Sequence, residues 1–111
     1  MDLFVYGTLM QPAVVRELTG HTFASRPARL PDYRCILEPG HYPYILPEAG
    51  CSVAGLLLLA VDPIALAQLD SYEDEGTLYF RRTVSVVVDD SLHACQTYVG
   101  NPAAVEALRL P

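Results

Sequence analysis

Four carboxylates fall within six residues in the stretch Leu69-Asp70-Ser71-Tyr72-Glu73-Asp74-Glu75-Gly76. Such a run at a helix exit is ordinarily a solvated face, and that reading fits Asp70, Asp74 and Glu75. Glu73 differs by its neighbours: it follows Tyr72, stands six residues before Tyr79, and is followed by Arg81 and Arg82. A carboxylate held among tyrosines loses solvation, and its pKa rises toward the range where it can take and return a proton near neutrality. Glu73 is therefore the candidate acid/base.

A second constellation lies near the start, in Leu3-Phe4-Val5-Tyr6-Gly7-Thr8-Leu9, an apolar strand that runs into a tight turn. Gly7 has no Cβ, so a ligand can approach the main chain closely. Successive N–H groups in such a turn form a nest for an anion or an oxyanion. The plainer alternative is a strand end leading into the helical stretch from Met10 to Leu18. Thiol chemistry is poorly served. Cys35, Cys51 and Cys95 coexist with His21, His41 and His93, but only His93 and Cys95, two apart on one strand face, are near in sequence. The same six residues lack ligand pairs at metal spacing, so no metal site is expected.

The elements that must position these residues follow from local signals. Gln11-Pro12 opens a short helix and Gly20 closes it. Thr22 to Tyr33 and Arg34 to Glu38 have strand character broken by Pro27 and Pro31, which predicts edge strands or a bent hairpin. Pro39 to Gly50, with three prolines and two glycines, reads as a surface loop. Val53 to Val61 is apolar throughout and reads as a fully buried strand. Asp62 then caps a helix with Pro63 at its first position, and Ile64, Leu66 and Leu69 supply its apolar side. Phe80 to Val88 and His93 to Val99 form a hairpin about an Asp89-Asp90-Ser91 turn. From Asn101 onward a helical turn or two is expected.

Hairpins outnumber parallel crossovers in this order. The expected fold is α+β: one small, mixed, strongly curved, barrel-like sheet with two or three short helices. A length of 111 residues allows one domain with a real core. The charge is −6 and all seven cations are arginine, which argues against nucleic acid or an anionic membrane as partner. No basic leader segment opens the chain and its longest apolar run is too short to span a bilayer, so a cytoplasmic protein with reduced thiols is expected.

Taken together, the motifs resemble the γ-glutamylcyclotransferase-like superfamily. Tyr6-Gly7-Thr8-Leu9 is similar to its signature loop. The segment from Val53-Ala54-Gly55-Leu56 through Leu69-Asp70, Tyr72-Glu73 and Tyr79 to Arg81 resembles its second motif. Gly40-His41-Tyr42-Pro43 and the closing Ala94, Thr97-Tyr98-Val99 strand match as well. The Thr8 form on a short chain looks most like the γ-glutamylamine-cyclotransferase and avirulence-induced branch. The resemblance implies one cavity, with Glu73 as acid/base and residues 6 to 9 (Tyr6, Gly7, Thr8, Leu9) holding a γ-glutamyl substrate through their backbone amides. It also brings Tyr42 and Tyr79 into the binding set and implies release of 5-oxoproline without a cofactor. Many bacterial relatives carry Gly directly after the glutamate, whereas Asp74-Glu75 intervene here, so Glu75 stands as an alternative base. A second class of function is a non-catalytic domain that binds γ-glutamyl ligands with the same fold. Monomer and homodimer are both open. Tyr33, Tyr44 and Tyr98 are expected as core or rim aromatics.

Overall fold

β1 (Leu3–Val5) is only three residues long, yet both of its faces are buried. Alternation along a strand sends Phe4 to one side and Leu3 and Val5 to the other. Phe4 packs with Leu30, Ile45, Leu57 and Val86 in one core cluster, and Leu3 and Val5 join a second cluster with residues of the helices. These two apolar clusters, one on each side of the wall, are what hold the fold together; each fully buried Leu or Phe stabilises it by about 1.5–3 kcal/mol.

The computed structural model describes residues 1–37 and 43–103. After β1 come a 3-10 turn (Gly7–Met10), α1 (Pro12–Thr19), β2 (Ser25–Ile36), β3 (Tyr44–Leu58), α2 (Pro63–Glu73), β4 (Tyr79–Val88) and β5 (Ser91–Gly100). The strands close into a barrel in the order β1-β3-β2-β4-β5. Its ladders are antiparallel except where Leu3 meets Gln96, a parallel β1–β5 pair. The expected small, mixed, barrel-like α+β sheet is the observed architecture. No helix is long and apolar enough to cross a membrane among the described residues.

Local signals landed where physics is local. Gly20 ends α1 in the left-handed conformation, with its N–H on Arg16 O. The Asp62 carboxylate accepts from Ala65 N–H at 2.8 Å and caps α2. Asp89 and Asp90 both take positive φ between β4 and β5.

Elsewhere tertiary pairing overrode the local reading. β2 is one strand rather than a broken pair; it meets β4 at a single pair, Arg29 with Val87, so its prolines sit on a strand that is nearly an edge. Tyr44 to Gly50 is strand, not loop, because Tyr44, Ile45, Leu46 and Pro47 pair with Ile36, Cys35, Arg34 and Tyr33. The irregularity lies at a bulge, where Asp32 (φ 64°) accepts from Gly50 N–H at 3.1 Å. The strand expected to reach Val61 ends at Leu58, and Ala54 within it is exposed. On α2, Ile64 is 76% exposed and Ala65 takes its expected place beside Leu66 and Leu69 in the core. The segment beyond Asn101 lies outside the described residues except for its first helical positions.

Candidate active site

The chain leaves the barrel wall at Tyr6 in extended conformation and enters the 3-10 turn through Gly7 at φ 70°. The N–H groups heading a helical turn have no acceptor within it, and in a 3-10 turn these belong to Gly7 and Thr8. A Cβ at Gly7 would meet Pro43 Cγ at 3.5 Å, an ordinary contact, but in a backbone region L side chains avoid. Gly7 thus meets two demands, a conformational one and the close approach read from the sequence. Leu9 faces the other way: it is 2% exposed and packs in the core cluster with Val15 and Leu58.

Opposite this loop stands the last turn of α2, which ends on Glu73. Asp74 closes the helix in the left-handed conformation, its N–H bonded to Asp70 O and Ser71 O. Leu78 N–H then returns to Asp74 O, and Gly76 N–H to Tyr79 O, so the two residues inserted before Gly76 are absorbed in a tight turn. Asn101, just past β5, pins that turn through Leu78 O at 2.9 Å and Thr77 O at 2.7 Å.

A cavity of about 110 Å³ separates loop and helix end. Tyr6, Gly7 and Thr8 form one wall, Tyr72 and Glu73 another, and Pro43, Leu78 and Tyr79 complete it. Five residues singled out from sequence, Glu73, Tyr6, Gly7, Thr8 and Tyr79, are therefore brought together. Tyr42 lies outside the described residues, as do Gly40 and His41 of its motif. Tyr72, Pro43 and Leu78 were not anticipated as lining; Tyr72 is signalled only by its place before Glu73. Thr8 Oγ1 and the Tyr72 hydroxyl share a hydrogen bond of 3.2 Å that bridges loop and helix. Tyr79 donates to Pro43 O at 2.8 Å, and Tyr6 donates to Tyr98 O.

The electrostatics single out one carboxylate. Burial lifts the Glu73 carboxyl from 4.5 to about 7. Glu75 is exposed, with one carboxylate oxygen accepting from Arg81 N–H at 3.2 Å, and does not line the cavity. Burial also pushes the Tyr6 hydroxyl far up, aided by Tyr79 and Glu73, so it stays a donor. Asp70 departs from the expected solvated face: it is partly buried, accepts from the Tyr98 hydroxyl at 2.6 Å and pairs with Arg81 at 3.2 Å. Tyr98 and Tyr44 are buried, and Tyr33 packs at the margin of the core, as expected.

The thiols run against nucleophilic use, which needs a lowered pKa. Burial raises Cys35, and raises Cys95 to about 11; the Glu48 carboxylate beside Cys51 holds that thiol up. His93 is exposed on β5 while Cys95 is in the core.

The sequence model of the γ-glutamyl cyclotransferase, AIG2-like family matches residues 3–111. The chain belongs to that family. Among its members from Arabidopsis thaliana, AIG2-like protein C is 38% identical over 109 residues, covering 88% of this chain and 58% of the relative. AIG2-like protein D is 37% identical over 91 residues, covering 81% of this chain and 59% of the relative. The chain thus spans a little under three-fifths of the length of these curated AIG2-like relatives. The crystal structure of an AIG2-like protein from Mus musculus has a TM-score of 0.75 at 28% identity, over 99% of this chain and 83% of that one. A structure named gamma-glutamyl cyclotransferase, at 16% identity and TM-score 0.73, covers 91% of this chain and 66% of its own, and shares the fold.

The raised Glu73 carboxyl has a consequence for stability. Its folded pKa exceeds its unfolded one, so the native state binds its proton more tightly. That contribution is complete below about 4.5 and is lost as pH rises through about 7. Glu73→Gln has no proton to lose. It is expected to melt above the parent at about pH 8, by the equivalent of roughly 1–3 kcal/mol, and to show no gain near pH 4.5. Thermal melts at both pH values check this.

Proposed function

We propose that this chain is a γ-glutamyl cyclotransferase-type enzyme that releases 5-oxoproline from a γ-glutamyl amine or amide. The Glu73 carboxylate takes a proton from the substrate α-ammonium. The freed nitrogen attacks the γ-carbonyl carbon of the same molecule, forming the new C–N bond of a five-membered ring as the carbonyl oxygen becomes an oxyanion. The N–H groups of Gly7 and Thr8 receive that oxyanion; each such donor stabilises the tetrahedral species by about 3–4 kcal/mol in comparable sites. The oxyanion collapses and the C–N bond to the leaving amine breaks as Glu73 returns its proton to the departing nitrogen. Glu73 then takes the second proton from the ring nitrogen, leaving the neutral lactam N–H, and passes it to the freed amine, which departs as the ammonium. Proximity is built into the substrate, so the enzyme's task is to hold the folded conformer and carry protons from the attacking nitrogen to the departing one.

The observation that carries this reading is a single cavity with Glu73, made more basic by burial, facing a turn headed by backbone N–H groups. A panel of γ-glutamyl amines and amides, followed by mass spectrometry for 5-oxoproline, tests it. Binding without product from any of them would instead favour a non-catalytic ligand-binding domain. The kcat/KM of an active substrate should climb with pH through about 7, as Glu73 loses its proton and becomes able to accept one. Exhaustive chelation and replacement of all three cysteines by serine or alanine are expected to leave the rate intact; loss of activity with the fold retained would sink the glutamate-only mechanism.

Gly7 offers a cleaner dissection. Asn tolerates the left-handed region, whereas Val does not. Gly7→Asn is expected to keep the melting temperature near the parent's but lose γ-glutamyl ligand binding, because its side chain occupies the approach to the amides. Gly7→Val should lose binding and also about 1–2 kcal/mol of stability. Isothermal titration and melts on both variants decide it; normal binding by Gly7→Asn would make the loop purely structural.

A further inference from the structure

The two sides of the cavity, residues 6–8 and residues 72–73, lie far apart in the chain, and one residue touches the supports of both. Tyr98, on β5, accepts at its backbone carbonyl a hydrogen bond from the Tyr6 hydroxyl, next to the amide turn. Its own hydroxyl donates to Asp70 Oδ1 at 2.6 Å. Asp70 and Glu73 are three residues apart on α2, so they share one side of its last turn. Tyr98 therefore grips the loop with its main chain and the helix end with its side chain.

The surroundings make this grip stiff. Tyr98 is 2% exposed, and its hydroxyl is held far above the ordinary tyrosine range by burial and by Asp70, so it remains a donor. Arg81, on β4, lies with Nε 3.2 Å from the same Asp70 oxygen but has no hydrogen-bond partner there among the described residues. Its terminal nitrogen donates instead to Gln96 Oε1 on β5 at 2.7 Å. Arg81 thus pairs with Asp70 as a neighbouring charge, while the directed bond that orients the carboxylate is the one from Tyr98. Tyr6 and Tyr98 both feel the charge of Glu73, Tyr79 lines the same cavity, and Asp70 and Arg81 stand behind them.

We propose that Tyr98 is a positioning residue that, through Asp70, sets the place of Glu73 relative to the N–H groups of Gly7 and Thr8. This rests on the reading of Glu73 as the acid/base, and the test separates the two. Tyr98→Phe removes the grip on the helix and changes no charge. In uniformly ¹³C-glutamate-labelled protein, the Glu73 carboxyl is identified by its disappearance in Glu73→Gln, and its titration requires no turnover. Its midpoint, about 7 in the parent, is expected to fall by about a unit or more in Tyr98→Phe as the freed helix end admits water. With an active substrate, kcat should fall about tenfold or more while KM moves within a few-fold, the signature of a misplaced proton acceptor. Asp70→Ala should behave like Tyr98→Phe, and Asp70→Asn, which keeps an acceptor for the tyrosine hydroxyl, should stay near the parent in kcat. If Tyr98→Phe does not fold, the Asp70→Ala and Asp70→Asn pair carries the comparison. An unmoved Glu73 midpoint in folded Tyr98→Phe, or equal losses in Asp70→Ala and Asp70→Asn, overturns the proposal. A parent enzyme silent on every substrate sinks the cyclotransferase reading, and the titration still decides the role of Tyr98.

Discussion

Glu73→Gln is expected to lower steady-state 5-oxoproline production by roughly 10²–10⁴-fold with the fold intact. The amide keeps the size of the side chain and removes the proton acceptor. Substrate should still bind, since in the proposed arrangement the N–H groups of Gly7 and Thr8 hold it independently of the base. Glu75→Gln is expected to stay within a few-fold of the parent, because Glu75 is exposed and turned toward Arg81 N–H. Mass-spectrometric product assays on both purified variants, with melts as the folding control, decide between the two glutamates. A dead Glu75→Gln beside an active Glu73→Gln would move the base two residues along the chain. Activity in both would leave the cyclotransferase reading without its proton shuttle.

The largest expected loss of stability lies away from the chemistry, at Gly55. A Cβ there would sit 2.3 Å from Val5 O and 2.7 Å from Phe4 Cζ, distances real Cβ atoms essentially never show. The obstacle includes backbone of β1, which is itself held between β3 and β5 and cannot step aside without opening the barrel. Gly55→Ala is expected to cost about 3 kcal/mol or more, and Gly55→Val to prevent folding. Gly50→Ala is the control: open space surrounds that position, and only its φ of 85° opposes a side chain, for about 1–2 kcal/mol. Urea titrations of the three variants measure the difference. A Gly55→Ala midpoint close to the parent's would show that β1 and β3 separate easily. Because β1 leads directly into Gly7, a folded but shifted Gly55→Ala should also show weakened γ-glutamyl binding.

What could be read from the sequence was whatever a few adjacent residues decide. Asp62-Pro63, Gly20 and the Asp89-Asp90 turn each carry their own geometry, and each stands where expected. Tyr44 to Gly50 could not be read in this way. Pro43, Pro47 and Gly50 announce a loop, and only the facing residues of β2 make it strand. The acidic stretch hid Asp70 for the same reason: its partners, Tyr98 and Arg81, arrive from later strands, and nothing local distinguishes it from Asp74. Ile64 was misassigned because helical spacing fixes which residues share a face but not which face is covered. Of the residues that line the candidate cavity, Glu73, Tyr6, Gly7, Thr8 and Tyr79 were legible in the sequence, where residue type constrained the chemistry. Leu9, inside the same motif, turned inward, since a 3-10 turn sends its successive side chains in different directions.

The parallel contact of Leu3 with Gln96, and the Thr97 hydroxyl on Phe4 O at 3.0 Å, join segments 93 residues apart for both pairs. Contacts of such long sequence separation carry the full entropy of closing the intervening chain, and they form late. The β4–β5 hairpin and α2 can assemble from neighbours, but the amide turn meets the glutamate only when the first strand docks. Competence to bind is thus expected to return with the last closure event in folding. A refolding population would regain helix signal and hairpin protection before it regains ligand binding, so the interval between them times the docking of β1.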